Sequence, residues 1–340
     1  MNNSMLTLPP VVFGTSGLGN LFVTLPDDTK RGIVAESVRL SPSPVVFDSA
    51  GKYGAGLALE VLGKYLKELS VPADKVIISN KLGWFRTALQ SDEPTFEPGV
   101  WKNLEHDAVQ QISYEGIMRC FEQGNGLLNG YIPQMVSVHD PDEYMHTATD
   151  QRHADQLYKD ILEAYKALHE LKRKGVVTGV GVGAKSWRII QRIAGDVELD
   201  WVMIANSMTI REHPMELLHF IGELHGRGIQ VINSAVFHSG FIIGSDYYDY
   251  KRVSDSTHPE LYQWRKRFNL VCREYDVSPA AAAVQFGLNV PGVSSVALNT
   301  TDEKRVRQNL ALAQTSLPVA FWQELLSQQL ISSLYPKMLS

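Results

Sequence analysis

The chain is poor in the residues that would tie it to several common classes. Two cysteines in 340 residues, Cys120 and Cys272, are too few for a disulfide framework or a metal cage. The ten histidines show no close H-x-H or H-E-x-x-H spacing, which argues against a zinc hydrolase. Lys and Arg number 32 against 37 Asp and Glu, a net charge of −5, with no long basic run. Nucleic acid is therefore not the expected partner. No apolar stretch approaches the roughly 18 residues of a membrane span. Met1-Asn2-Asn3-Ser4-Met5 has no basic segment leading into an apolar one, so no secretion signal is expected and the cytoplasm is the default location. At 44% hydrophobic and 20% charged, the composition is that of an ordinary globular chain.

What the chain has is a regular alternation of short β-branched runs with helical patterns. Candidate strands fall at 11–13, 45–48, 76–81, 135–139, 179–183, 201–204, 230–233 and 295–298. They are continuously apolar, as strands buried on both faces of a parallel sheet are. Helical spacing is clear over 55–69 and 155–174, where Lys172-Arg173-Lys174 and then Gly175 supply a basic last turn and a C-cap glycine. Ser278-Pro279 opens another helix, and 302–312 follows the last strand. Eight strand–helix units predict one closed (β/α)8 TIM barrel domain over 1–340, with a doubly wound open sheet as the second choice. The least regular stretches, 86–110 and 141–154, each follow a strand. In a barrel they become loops of the C-terminal rim, where active sites form.

Two glycine patterns invite a dinucleotide reading and fail it. Gly14-Thr15-Ser16-Gly17-Leu18-Gly19 is spaced G-x-x-G-x-G and opens no clear helix. Gly179, Gly181 and Gly183 alternate on one side of a strand, where tight packing accounts for them.

The strand ends carry more information. Asp48 ends the second strand, with Tyr53 five residues on; Lys81 ends the third and His139 the fourth. Singly, each has a dull explanation as turn cap, solvent-facing charge, packing ring or core histidine. On three consecutive barrel strands they converge on one rim. A tyrosine hydroxyl has an unperturbed pKa near 10. A neighbouring ammonium lowers it, and a carboxylate holds that ammonium in place. A histidine can donate to a substrate oxygen. The set suits proton transfer at an alcohol or carbonyl while a hydride moves elsewhere.

At these residues, in "FDSAGKYG", "SNKLG" and "SVHDPD", the chain resembles the aldo-keto reductases over about residues 10–309. The resemblance implies Asp48, Tyr53, Lys81 and His139 as the catalytic set, with Tyr53 moving the proton. It also implies a nicotinamide cofactor at the C-terminal rim of the barrel. Gly14, Thr15 and Ser16 match the first cofactor loop, and Ser234, Ala235, Val236, Phe237 and Gly240 the pyrophosphate loop. Asn299, Thr300, Arg305, Gln308 and Asn309 match the adenosine end, and Asn206 a carboxamide contact.

The segments 232–250 and 277–309 resemble the branch of L-fucose and D-threo-aldose 1-dehydrogenases. L-galactose dehydrogenase and pyridoxal 4-dehydrogenase are related to it. The branch implies oxidation of the anomeric carbon of a free aldose to a lactone. Pyridoxal or another aldehyde is the alternative substrate, and a non-catalytic nicotinamide-binding module the remote one. Three positions depart from the family pattern. Gly183-Ala184-Lys185 stands where Ser-Asn is common, Asn233 where a stacking tyrosine is common, and Asn299 where NADPH-preferring relatives carry a cation. The last favours NAD over NADP, although Arg305 remains available to a phosphate. Trp84, Phe85, Trp101, Tyr144 and His146 are the candidate substrate-pocket residues, as rings that pack on sugar C–H faces. The oligomeric state is left open.

Overall fold

The computed structural model describes residues 6–332; the segment read for a leader, residues 1–5, lies outside them. Eight strands close into a parallel barrel in sequential order. They are β1 (Val11–Gly14), β2 (Val45–Ala50), β3 (Val76–Leu82), β4 (Met135–His139), β5 (Gly179–Ala184), β6 (Trp201–Ala205), β7 (Gln230–Ser234) and β8 (Val293–Asn299). This closed ring replaces the open sheet that was the second choice.

Helices run between the strands. They are α1 (Asp27–Leu40), α2 (Leu57–Glu68), α3 (Tyr114–Leu127), α4 (Gln151–Arg173), α5 (Trp187–Asp196), α6 (Met215–Gly226), α7 (Pro259–Glu274) and α8 (Pro279–Leu288). After β8 come α9 (Lys304–Gln314) and α10 (Val319–Ser327). No described helix is long and apolar enough to cross a membrane.

The caps follow the sequence. The Ser278 hydroxyl accepts from the Ala281 N–H, and Gly175 takes φ +71° just past α4. α4 begins four residues before its apolar stripe suggests, because the Asp150 carboxylate caps it by accepting from His153 N–H at 2.8 Å. α2 begins two residues late because Ala55 and Gly56 have positive φ and belong to a turn.

The barrel floor is apolar. Val12, Val46, Met135, Trp201 and Ile232 are fully buried there. Gly181 is explained at this level: a Cβ on it would stand 2.3 Å from the Trp201 ring. Truncating Trp201 would cost about 3–5 kcal/mol in lost transfer energy and cavity. The floor closes one end, so polar chemistry is confined to the other.

Candidate active site

Strand register sets the polar rim. Gly14 pairs with Asp48, Asp48 with Ser79, Ala50 with Lys81, Lys81 with Ser137 and His139 with Gly183. Asp48 lies two residues before the end of β2 and Lys81 one before the end of β3, deeper than the sequence reading placed them. His139 is the last residue of β4.

Tyr53 sits on the turn after β2. Gly54, Ala55 and Gly56 all have positive φ there, and Gly19 of the first loop presses on the same backbone. A Cβ on Gly54 would lie 2.4 Å from the Gly19 oxygen, and one on Gly19 2.8 Å from Tyr53 backbone atoms. Gly19 of the G-x-x-G-x-G run thus seats the tyrosine turn, Gly14 and Gly17 lie against Asn299 and Thr300, and the run makes a four-residue 3-10 turn, not an α-helix.

The four side chains meet in a cavity of about 430 Å³ at the C-terminal rim. Lys81 Nζ is 2.5 Å from Asp48 Oδ2, and the Ser79 hydroxyl donates to the other carboxylate oxygen at 3.1 Å. Lys81 Nζ lies 4.7 Å from the centre of the Tyr53 ring, and the His139 ring meets Tyr53 edge-on at 5.5 Å. Trp101 packs on Tyr53 at 5.8 Å.

Burial, and then the Asp48 charge, hold the Tyr53 pKa well above the usual phenol range; Lys52 opposes them weakly. The expected sign is therefore reversed, because the Lys81 ammonium is closely paired with Asp48. At neutral pH Tyr53 is a phenol, ready to donate. Burial, then Lys81 and Lys52, push His139 well below its usual range, so it is a neutral imidazole. Its Nδ1 has no partner in the protein, and its Nε2 is 3.6 Å from Asp140 Oδ2.

A second charged group adjoins the first. Lys52, only 3% exposed, lies 2.8 Å from Glu97, 2.6 Å from Glu143 and 3.4 Å from Asp140. Burial pulls Lys52 down, but those carboxylates outweigh it and keep its pKa above the lysine range. Lys185 also pairs with Glu143. Asp140 holds φ +45°, a conformation L-residues adopt rarely and at some cost.

The remaining wall, from β6, β7, β8 and β1, is small or apolar. Gly14, Ser16, Ser234, Ala235, Val236, Phe237, Gly240 and Asn299 all line it. Asn299 ties the first loop by donating to Ser16 Oγ at 3.0 Å and accepting from Gly17 N–H at 3.4 Å.

The family profile of the aldo/keto reductases matches residues 10–327. The chain belongs to the aldo/keto reductase family. It is an oxidoreductase of that family by profile and by relatives. It is 28% identical to pyridoxal 4-dehydrogenase of Microbacterium luteolum over 340 residues, covering 96% of each. With D-threo-aldose 1-dehydrogenase of a Pseudomonas species it shares 27%, over 96% of this chain and 95% of the relative. With L-galactose dehydrogenase of Arabidopsis thaliana it shares 24%, over 96% and 91%. Among solved structures it is similar in fold to the holo form of an aldo-keto reductase from Bacillus halodurans. The TM-score is 0.68 at 18% identity, with 97% of this chain and 95% of that one covered. The glycerol dehydrogenase of Gluconobacter oxydans gives the same TM-score and coverage at 15% identity.

An aldo/keto reductase needs a place for a nicotinamide, and the neutral wall fits one. Asn206, just past β6 and 9% exposed, has an Oδ1 without a partner in the protein. Its backbone N–H donates to Ser234, which lines the cavity. An orphaned amide oxygen beside small residues suits a carboxamide. Ala205, not Asn206, reaches the cavity itself.

Other expected residues lie elsewhere. Thr15 is buried, and its hydroxyl donates to the Asp48 carbonyl at 3.0 Å. The Thr300 hydroxyl donates to the Asp302 carbonyl, which leaves Thr301 to line the cavity. Arg305 and Gln308 are exposed on α9, and Asn309 is buried on its inner side. Asn233 points out of the barrel, donating to Met208 and Gly287 carbonyls.

The rim aromatics divide. Trp101 lines the cavity, and Trp84 backs it, with Lys52 5.2 Å from its ring centre. Phe85 does not reach the cavity. Trp84–Ala88 pairs with His106–Gln110 as a hairpin, and strand alternation turns Phe85 to the opposite face, against Arg119. Tyr144, on the short helix Pro141–Met145, donates its hydroxyl to Asp160 of α4 at 3.0 Å, and His146 is exposed. Neither contributes to the cavity wall. Residues that sequence reasoning missed include Lys52, Glu97, Asp140, Lys185 and Tyr250. Lys52 and Asp140 were each one position from a candidate residue, Glu97 lay within the irregular segment 86–110, and Lys185 stood in the departing Gly183-Ala184-Lys185 run.

Proposed function

We propose that the chain is an NAD(P)-linked aldose 1-dehydrogenase, oxidising the anomeric carbon of a free sugar to a lactone. The observation that carries the reading is the meeting of Tyr53, Lys81, Asp48 and His139 in one cavity whose other wall is small and neutral. Gly14, Ser16, Ser234, Ala235, Gly240 and Asn299 would hold a nicotinamide dinucleotide, which when bound would supply the hydride acceptor. In its phenolate form Tyr53 takes the proton of the anomeric hydroxyl, becoming the phenol, as the C1 hydride leaves and the C1–O bond becomes a carbonyl. His139, neutral, donates to that oxygen and fixes its position. Lys81 and Asp48, locked together, keep the ring of Tyr53 in place. In the reverse direction the Tyr53 phenol donates directly. The absence of a cation at Asn299 favours NAD.

The same geometry serves pyridoxal, through its cyclic hemiacetal, and the Microbacterium relative favours that second reading. The test is absorbance at the reduced-nicotinamide band with purified protein, NAD or NADP, and L-fucose, L-galactose, D-arabinose, L-xylose or pyridoxal. Growth with a sugar supports the proposal. Growth with pyridoxal alone replaces the substrate. A flat trace with all five contradicts the proposal.

A further inference from the structure

All the charge in the cavity wall is paired. Lys81 is held by Asp48, Lys185 by Glu143, and Lys52 by Glu97, Asp140 and Glu143. Three lysines and three carboxylates line the cavity, and Glu143 behind the wall gives the cluster as a whole a surplus of one negative charge. No arginine lines the cavity among the described residues. At the charged side of the cavity, away from the neutral wall, an incoming phosphate or carboxylate finds no cation that is not already committed. Its entry would strip water from the anion and set it against the surplus charge. Hydroxyl groups meet the opposite situation. Asp140 and Glu97 line the cavity, and carboxylate oxygens retain lone pairs beyond their lysine contacts. Glu97 is further fixed by the Trp101 indole N–H, which donates to it at 2.7 Å. The strained backbone of Asp140 aims a carboxylate at the reacting end, beside His139.

We propose that this cluster around Lys52 is the specificity filter of the site, admitting neutral, hydroxyl-rich substrates and rejecting phosphorylated or carboxylated ones. The inference deepens the function proposed above and rests on that location of the site, but not on the substrate being a sugar. Two unit charges about 7 Å apart at a protein surface interact strongly enough to change a rate by roughly tenfold to a hundredfold.

The test uses the holoenzyme with a pair of similar shape, 4-nitrobenzaldehyde and 4-carboxybenzaldehyde. It measures kcat/KM for reduction and the calorimetric affinity of each, in the native chain and in Glu97→Gln. The neutral aldehyde is expected to be preferred about thirtyfold or more at low salt, less at high salt. Glu97→Gln, which removes the surplus charge and keeps a side chain able to accept from Trp101, is expected to cut that preference about tenfold. A native preference within threefold overturns the proposal. So does a preference that Glu97→Gln leaves unchanged, or a neutral aldehyde that neither binds nor reacts. If the preference holds while no aldose is oxidised, the filter stands and the aldose reading falls.

Discussion

Strands β2 to β5 and the segments that follow them bring every charged side chain to the cavity wall, whereas β6, β7, β8 and β1 reach it with Met203, Ala205, Ser234, Ala297, Asn299 and Gly14. The two halves of one rim are built by the same strand–helix repeat and differ in what the strand ends and the segments after them carry. The charged half is over-determined: each lysine has a carboxylate, and the tyrosine turn is wedged by Gly19. The neutral half offers backbone and small side chains, so its binding capacity lies in shape and in N–H and C=O groups. Proton chemistry needs the first and a flat, extended ligand needs the second.

Separating the halves gives the largest expected effect. Tyr53→Phe removes the proton path and leaves the neutral wall untouched. Turnover should fall by about 10²- to 10⁴-fold while cofactor affinity, read by fluorescence titration, stays nearly constant. Equal losses in both would show that the halves are not independent. Gly54→Ala keeps every functional group but adds a Cβ 2.4 Å from the Gly19 oxygen at a positive φ. Displacing the tyrosine by about an ångström should lower kcat by about a hundredfold. Full activity in that variant would mean that the turn does not position Tyr53.

How much of this was legible in the sequence follows the same division. The continuously apolar strands pointed to a parallel sheet covered on both faces, and their number, eight, favoured a closed barrel over an open sheet. Asp48, Lys81 and His139 were legible because an ionisable residue at the end of an apolar run is out of place, and Tyr53 by its place five residues past Asp48 in the resembling pattern. Lys52 was passed over because a lysine in a turn normally faces solvent; only the folded chain brings Glu97, Asp140 and Glu143 around it. Glu97 comes from one segment and Asp140 and Glu143 from another, and no spacing connects either to Lys52. The neutral half was legible only by resemblance, since Gly, Ser and Ala at strand ends suit any barrel. Phe85 and Tyr144 misled because being on a rim segment does not say which way a side chain turns.

Two smaller effects probe each half alone. Lys52→Met leaves three carboxylates around an apolar side chain. Breaking such a buried pairing should cost about 3–5 kcal/mol, seen as a lower denaturant midpoint, more strongly than it would for the exposed Lys64–Asp27 pair. A shift as small as that of an exposed pair would mean that the cluster is well solvated. Asn299→Arg places a cation on the neutral wall. It should raise the NADP to NAD ratio of kcat/KM by about tenfold, the worth of one charge-assisted hydrogen bond. An unchanged ratio would remove this position from cofactor choice.

The central claim is that Tyr53 moves the proton and that its surroundings hold it as a phenol. Oxidation requires Tyr53 to accept, so its rate should climb with pH as the small phenolate fraction grows; reduction, which requires it to donate, should not. The most direct test is the pH dependence of kcat for oxidation in the native chain beside Tyr53→Phe. The account predicts a rise approaching tenfold per unit between about pH 6 and 9, with residual activity in Tyr53→Phe that lacks this slope. A flat native profile, or the same slope in Tyr53→Phe, would contradict it.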